Sequence, residues 1–436
     1  MRDMRESGVA WIGKIPTTWE LKTIKQLLVE RNEKNHDLEV NTILSLSAKE
    51  GITLYNSENH SGNKPREDLS DYKIVRDKDI VVNSMNILSG AVGLSSYTGV
   101  VSPVYYIYYP RFNDSIEYLY YIFKTFEFQR SLRGLGNGIL IKETEDGGLN
   151  TIRMRIPSKR LGMQEFPVCS VEEQIAIVGL LNKKVNEIDA LIANVEAQIE
   201  KLKAYKQSLI TEVVTKGLDP NAPMKESGVE WIGMIPDHWR LVATKYLFSI
   251  LSGATPKSDV FENWDGDIAW ITPADYKTDD VYVSGGRRNL SELGFQTCST
   301  SLIPKNSIIF SKRAPIGAVA INTNELCTNQ GCLSCVNKDD GKIDSKYFYY
   351  TMSVATEQYE LLGSGTTFKE ISASNFANFL LMWPPITEQK AMVEYLDGKC
   401  SRIGRLISIK EAKITKLEQY KKSLIYEYVT GKKEVS

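Results

Sequence analysis

Two stretches of the chain carry apolar residues at alternating spacings of four and three. The first holds Leu181, Val185, Ile188, Ile192, Val195, Ile199 and Leu202. The second holds Leu396, Cys400, Ile403, Ile407, Ile414 and Leu417, with Lys410 interrupting the rhythm. This spacing is the a/d seam of a coiled coil, and it predicts two long helices over residues 171–217 and 387–431. Ser170 and Glu173 form a capping-box pattern at the start of the first, and Gly217 and Gly431 supply left-handed stops. A helix of ~45 residues spans roughly 65 Å and cannot bury a seam alone. The two helices are therefore expected to cover each other.

Elsewhere the apolar residues run continuously in short blocks. Ile80-Val81-Val82-Asn83, Ile308-Ile309-Phe310-Ser311 and Val104 to Tyr109 read as buried strands, densely punctuated by Gly, Asn and Pro. The expected class is α+β, with irregular mixed or antiparallel sheets set between the long helices.

The chain is written twice. Residues 6–19 read ESGVAWIGKIPTTW and residues 226–239 read ESGVEWIGMIPDHW, an offset of 220. Tyr118, Tyr120 and Tyr121 match Tyr347, Tyr349 and Tyr350, and Leu135 to Gly138 matches Leu362 to Gly365. Lys142-Glu143 then aligns with Lys369-Glu370, Pro157 with Pro384, and Glu173-Gln174 with Glu388-Gln389. The organisation that follows is a lead segment (1–20), a variable domain (21–170), a helix (171–217), a linker with a second lead (218–240), a second variable domain (241–386), a second helix (387–431) and a tail (432–436). If both halves fold alike, they pair about a pseudo-twofold axis with the helices antiparallel as a spacer. The leads and helices match closely while the domains match only at scattered positions. Such an object suits a bipartite target with two unequal halves, and duplex DNA has the matching local twofold symmetry.

Composition narrows the picture modestly. In 436 residues, 42% are hydrophobic and 25% charged, which is ordinary for a soluble globular protein. No apolar run reaches the ~18 residues of a membrane span, and the start lacks the apolar core of a signal peptide. The expected location is cytoplasmic. The net charge of −1 does not advertise a nucleic-acid binder, but a global sum says nothing of clustering. The six cysteines are expected to stay reduced. Cys298, Cys327 and the pair Cys332 and Cys335 are weighed against a zinc site. Only one C-x-x-C is present, on a strand where positions three apart face opposite ways, so they read as buried free thiols and no metal is expected.

The doubled E-S-G-V-x-W-I-G-x-I-P-x-x-W lead resembles the specificity subunit of Type I restriction–modification systems. So do the run from Pro384 to Gln389 that opens the second helix and the loop Gly363 to Thr366. Gly253 to Lys257, followed by Trp264 and by Trp270-Ile271-Thr272, is similar to the start of one of that family's target-recognition domains. The first domain departs from the pattern at Asn137 to Leu140, and about a dozen residues, Lys159 to Ser170, lengthen the approach to the first helix. The resemblance implies a non-catalytic subunit that binds double-stranded DNA. It implies two modification subunits bringing S-adenosylmethionine for adenine-N6 methylation, and two restriction subunits using ATP and Mg. No cofactor is expected on this chain itself.

The residues agree that chemistry lies elsewhere. There is no G-x-x-x-x-G-K-[ST] loop, no G-x-G-x-x-G after a strand and no Asn-Pro-Pro-aromatic or Asp-Pro-Pro-aromatic run, and His36, His60 and His238 form no motif. An autonomous methyltransferase is thus disfavoured. The alternative from another class is a coiled-coil adaptor whose variable domains bind proteins. Trp11, Trp19, Trp231 and Trp239 recur identically and read as packing. For DNA contact, the candidates in the second domain are Ser311, Lys312 and Arg313 after a strand, Thr255 and Lys257, Asn329 and Gln330, and Thr366, Thr367 and Lys369. In the first they are Asn83, Ser84 and Asn86, with Asn137 and Lys142. Arg grips guanine through two hydrogen bonds, amides suit adenine, and Lys neutralises phosphate.

Overall fold

The computed structural model describes residues 2–56, 64–137, 155–276, 281–313, 315–365 and 369–435, and the backbone of strands 141–143 and 149–151. It divides into two compact units, Met1–Glu196 with Glu411–Ser436, and Ala197–Lys410. The long helices, Val171–Lys216 and Ile386–Val429, each contribute residues to both units.

In the first unit the lead folds as a hairpin of Met4–Glu6 on Lys14–Pro16. Strand Glu20–Thr23 then pairs with Glu165–Val168 just before the long helix. The central sheet is antiparallel, in the spatial order Leu28–Arg31, Tyr105–Pro110, Ile80–Asn83, Val92–Leu94. Strand side chains alternate faces, so a strand buried on both sides must be apolar throughout. Ile80 and Val82 face the main core with Tyr106 and Tyr108, while Val81 and Ile107 face a smaller one with Leu44, Leu46 and Val75.

The second unit repeats this plan. Its lead is the hairpin Met224–Glu226 on Met234–Pro236, and Arg240–Ala243 pairs with Leu380–Trp383. The main sheet has five strands in the order Phe248–Ser252, Cys332–Asn337, Ile308–Ser311, Val319–Asn322, Tyr282–Val283, the last pair parallel. Cys335 lies in the main core and Cys332 in the core on the other face, where the hydroxyl of Tyr276 lies 3.8 Å from its sulfur. The C-x-x-C pair is therefore split across the sheet.

The joints between lead, sheet and helix are the same in both units. The indole Nε1 of Trp19 donates to Glu173 at 3.1 Å, and that of Trp239 donates to Glu388 at 2.9 Å. Glu173 is thereby engaged by Trp19 and by Arg2, so its side chain does not close the capping box; the Ser170 hydroxyl still accepts the Glu173 backbone N–H. Gln174 and Gln389 are fully buried, each accepting a backbone N–H (Ser115, Asp344) and donating to carbonyls (Cys169, Pro384). The hydroxyl of Tyr118 lies 3.0 Å from the carbonyls of Pro167 and Val429, and Tyr347 addresses Met382 and Val214 in the same manner. Burial raises the pKa of both phenols, so they remain protonated donors.

The apolar rhythm of the helices is buried as side-chain packing. In the first unit Leu181, Val185, Ile188 and Ile192 pack with Leu417, Leu424, Ile425 and Val429, and Lys421 pairs with Asp189 at 2.6 Å. In the second, Leu202 packs with Leu396, Cys400, Ile403 and Ile407. Val195 and Ile199 are buried, and Ile414 is half-buried. At the interruption, the Lys410 ammonium donates to the side-chain oxygen of Gln198, a polar contact where the seam lacks an apolar residue.

The structure corrects the alignment of the two halves. Ile156 donates its N–H to the Ser84 carbonyl, and Ile371 donates to that of Lys312. Asn137 and Arg155 exchange two backbone bonds, as do Ser364 and Glu370. Arg155, not Glu143, therefore occupies the place of Glu370, and Lys142 falls on the inserted strand Ile141–Glu143 paired with Leu149–Thr151. From Ile156 to Val171 the two halves then keep step with Ile371 to Ile386, helix for helix and strand for strand. The extra residues of the first domain lie between Asn137 and Arg155, not in Lys159 to Ser170. Likewise Cys169, not Pro157, stands at the place of Pro384: the carbonyl of each accepts from the matched glutamine, Gln174 or Gln389.

Candidate nucleic-acid interface

The site in the second unit is built where strand Ile308–Ser311 runs out into a loop. Three segments are tied to that loop by backbone bonds. Lys312 donates to Gly331 at 2.9 Å, Ile371 donates to Lys312 at 3.0 Å, and Gly317 donates to Ser311 at 3.0 Å. The loop therefore cannot shift without breaking neighbours. Arg313 stands on it with 45% of its side chain exposed, and its Nε donates to Glu370 at 2.7 Å. Lys312 lies 3.8 Å from the other oxygen of the same carboxylate and is far less exposed, at 17%. The hydrogen bond from Arg313, together with the charge of both cations, holds the Glu370 carboxyl below its usual pKa.

A second turn borders the first. Asn329 donates its N–H to Ile271 and its side chain accepts the N–H of Gly331, so Asn329 shapes the turn. Gln330, next to it, is exposed and accepts the hydroxyl of Thr255. The segment carrying Thr255 can lie this close because residue 253 is glycine: a Cβ there would sit 2.0 Å from the Thr328 carbonyl oxygen. Lys257 and Lys369 are exposed nearby in sequence. Thr366 and Thr367 lie outside the described residues.

Ser311, Asn83 and Ser84 are not surface readers. Ser311 is fully buried, its hydroxyl donating to the Arg313 carbonyl at 2.8 Å. Asn83 is buried and its side-chain oxygen accepts the N–H of Met85 at 3.0 Å, while the Ser84 hydroxyl donates to Val104. Each short polar side chain satisfies backbone groups freed where a strand ends, which is the common local use of Ser and Asn. Asn86 and Asn137 are exposed, and Arg160 reaches the Asn137 side chain at 3.4 Å. The side chain of Lys142 lies outside the described residues.

Sequence reading passed over three residues. Sequence similarity aligns Glu370 with Glu143, which gives no sign of its pairing with Arg313. Arg155 is exposed beside the first unit's loop, with its guanidinium 5.9 Å from the Tyr106 ring centre. Asp275 accepts from Thr272 and from the N–H of Arg287, whose side chain is 81% exposed. Only the Thr272 of that turn had a signal, through the Trp-Ile-Thr run.

The family model for the Type I restriction modification DNA specificity domain matches residues 236–429. The chain is similar to the Type I restriction enzyme MjaIX specificity subunit of Methanocaldococcus jannaschii, at 36% identity over 38% of each chain. It is also similar to the MjaX specificity subunit of that organism, at 24% identity over 97% of this chain and 95% of the other. Among solved structures, a chain from work on complex assembly and conformational transition of the type I system aligns with a TM-score of 0.71 at 13% identity, covering 95% of this chain and 98% of that one. This last likeness speaks to the fold alone. With a family model on its second half and a relative matched along nearly its whole length, this chain is similar to the specificity subunits of Type I restriction–modification systems.

Proposed function

We propose that the chain recognises an asymmetric, bipartite DNA site and directs the chemistry of partner subunits to it. The carrying observation is a shared backbone frame that presents different side chains: Arg313 and Glu370 in the second unit, Met85 and Arg155 at the same places in the first. One frame with two faces suits two unequal half-sites. The seam contacts, Asp189 with Lys421 and Gln198 with Lys410, support an antiparallel coiled coil that sets the spacer, and the matched joints support a pseudo-twofold repeat. In this reading two modification subunits supply S-adenosylmethionine and adenine-N6 methyl transfer. Two restriction subunits supply ATP- and Mg-dependent cleavage. This chain contributes recognition only.

Methylation mapping in cells that carry the chain with its modification subunit tests the reading. Exchange of residues 241–386 for the matching domain of another such subunit is expected to change one half of the methylated sequence. A change in both halves at once refutes modular readout. Binding that ignores sequence and varies little with salt refutes DNA recognition and points to a protein adaptor.

A further inference from the structure

We propose that Glu370 is a specificity-positioning residue: it holds Arg313 so that the free end of the guanidinium addresses one guanine. The inference rests on the DNA-reading function above. A guanidinium has five N–H donors in a rigid fork. Glu370 occupies the Nε donor at 2.7 Å, and among the described residues Nη1 and Nη2 bond to nothing. What remains available is the pair of parallel N–H groups at the tip, the geometry that matches O6 and N7 of guanine. Glu370 is itself fixed, because its backbone exchanges bonds with Ser364 at 2.9 and 3.0 Å. The next residue, Ile371, is fully buried and donates to Lys312. Arg313 and Glu370 are thus locked to each other by main chain on both sides, and the side-chain bond removes most of the rotamer freedom of a long cation.

The same carboxylate argues against phosphate as the target. A phosphate at the Arg313 tip would bring a second anion close to Glu370, whereas the edge of guanine is neutral. The first unit supplies the comparison within one molecule. Its frame carries Met85 in place of Arg313 and Arg155 in place of Glu370, so no carboxylate-held arginine forms there. Among the described residues the guanine grip therefore belongs to the second unit.

The experiment uses the chain assembled with its modification subunit, with methylation rates on DNA duplexes varied base by base, and melting curves to confirm that each variant folds. R313A should relax one G·C position by roughly 5- to 150-fold while other positions hold. E370A should weaken discrimination at that same position, and E370Q, which keeps an acceptor for Nε, should retain more of it than E370A. A purely structural role would instead lower methylation on every duplex alike. Unchanged discrimination in E370A, or a uniform loss across sequences with a shallower salt dependence in R313A, overturns the proposal in favour of a surface ion pair or a phosphate contact. Absence of any sequence preference in the unaltered complex would instead overturn the DNA-reading function on which it rests.

Discussion

Gly217 and Gly431 end matched helices, and the repeat makes them look interchangeable, yet alanine should cost more at one than at the other. Both adopt left-handed backbone, with φ of +76° and +71°. An alanine held in that region costs about 1–2 kcal/mol. At Gly431 a Cβ would also lie 2.5 Å from Cδ and 2.6 Å from Cγ of Pro16, with the Trp19 ring at 3.1 Å. A proline ring backed by a buried tryptophan cannot rotate aside, so overpacking adds about 1–3 kcal/mol. The expected total for G431A is about 2–5 kcal/mol, against a typical domain stability of about 5–15 kcal/mol. At Gly217 the nearest atom is Cζ2 of Trp239 at 3.2 Å, a tight contact that asks the buried ring to give by a few tenths of an ångström, so G217A should cost more than the conformational term alone but less than G431A. G8A sets the baseline, since Gly8 has φ of +76° and open space around its Cβ. Alanine also stiffens the unfolded chain by about 0.4–1 kcal/mol in favour of folding, but equally at all three sites. A chain of two units need not unfold in one step, so hydrogen exchange read segment by segment is the suitable assay. G431A should lower protection around Trp19, Tyr118 and Leu181 while protection around Trp239 and Tyr347 persists. Equal losses in G431A and G8A would show that the Pro16 contact carries no energetic weight.

Two further outcomes are expected. I188D puts a charge at a buried seam position with no partner, which costs several kcal/mol, so residues 181–192 and 417–429 should lose exchange protection together; protection equal to the unaltered chain would sink the seam assignment. Burial raises the thiol pKa of Cys169 and Cys332 to about 12 and of Cys327 to about 11, and raises that of Cys335 as well. The thiolate is the reactive form, so at pH 8 these four should resist alkylation until the chain unfolds, while half-exposed Cys298 reacts first; mass spectrometry of natively labelled protein reads the order.

Local rules make the helices legible in the sequence itself. A 4-3 apolar rhythm with a capping serine and a terminal glycine predicts a long helix, and Leu181 to Leu202 lie on one. The continuous apolar blocks at Ile80 and Ile308 likewise had to be strands covered on both faces. The doubled lead, with its tryptophans, announced a repeated joint, although not that Glu173 and Glu388 would hold the indoles. The contact face was another matter. Ser84, Asn83 and Ser311 are polar residues beside a loop, and sequence alone cannot tell a side chain that faces solvent from one that turns back on its own backbone. Whether Lys369-Glu370 answered Lys142-Glu143 or another pair depended on which loop residues exchange hydrogen bonds across more than a dozen intervening positions. Similarity of letters favoured Glu143; main-chain pairing chose Arg155. Periodicity and capping act within a few residues along the chain and can be read from it, whereas the meeting of Arg313 with Glu370 is set by strand pairing between distant segments and exists only once the unit has folded.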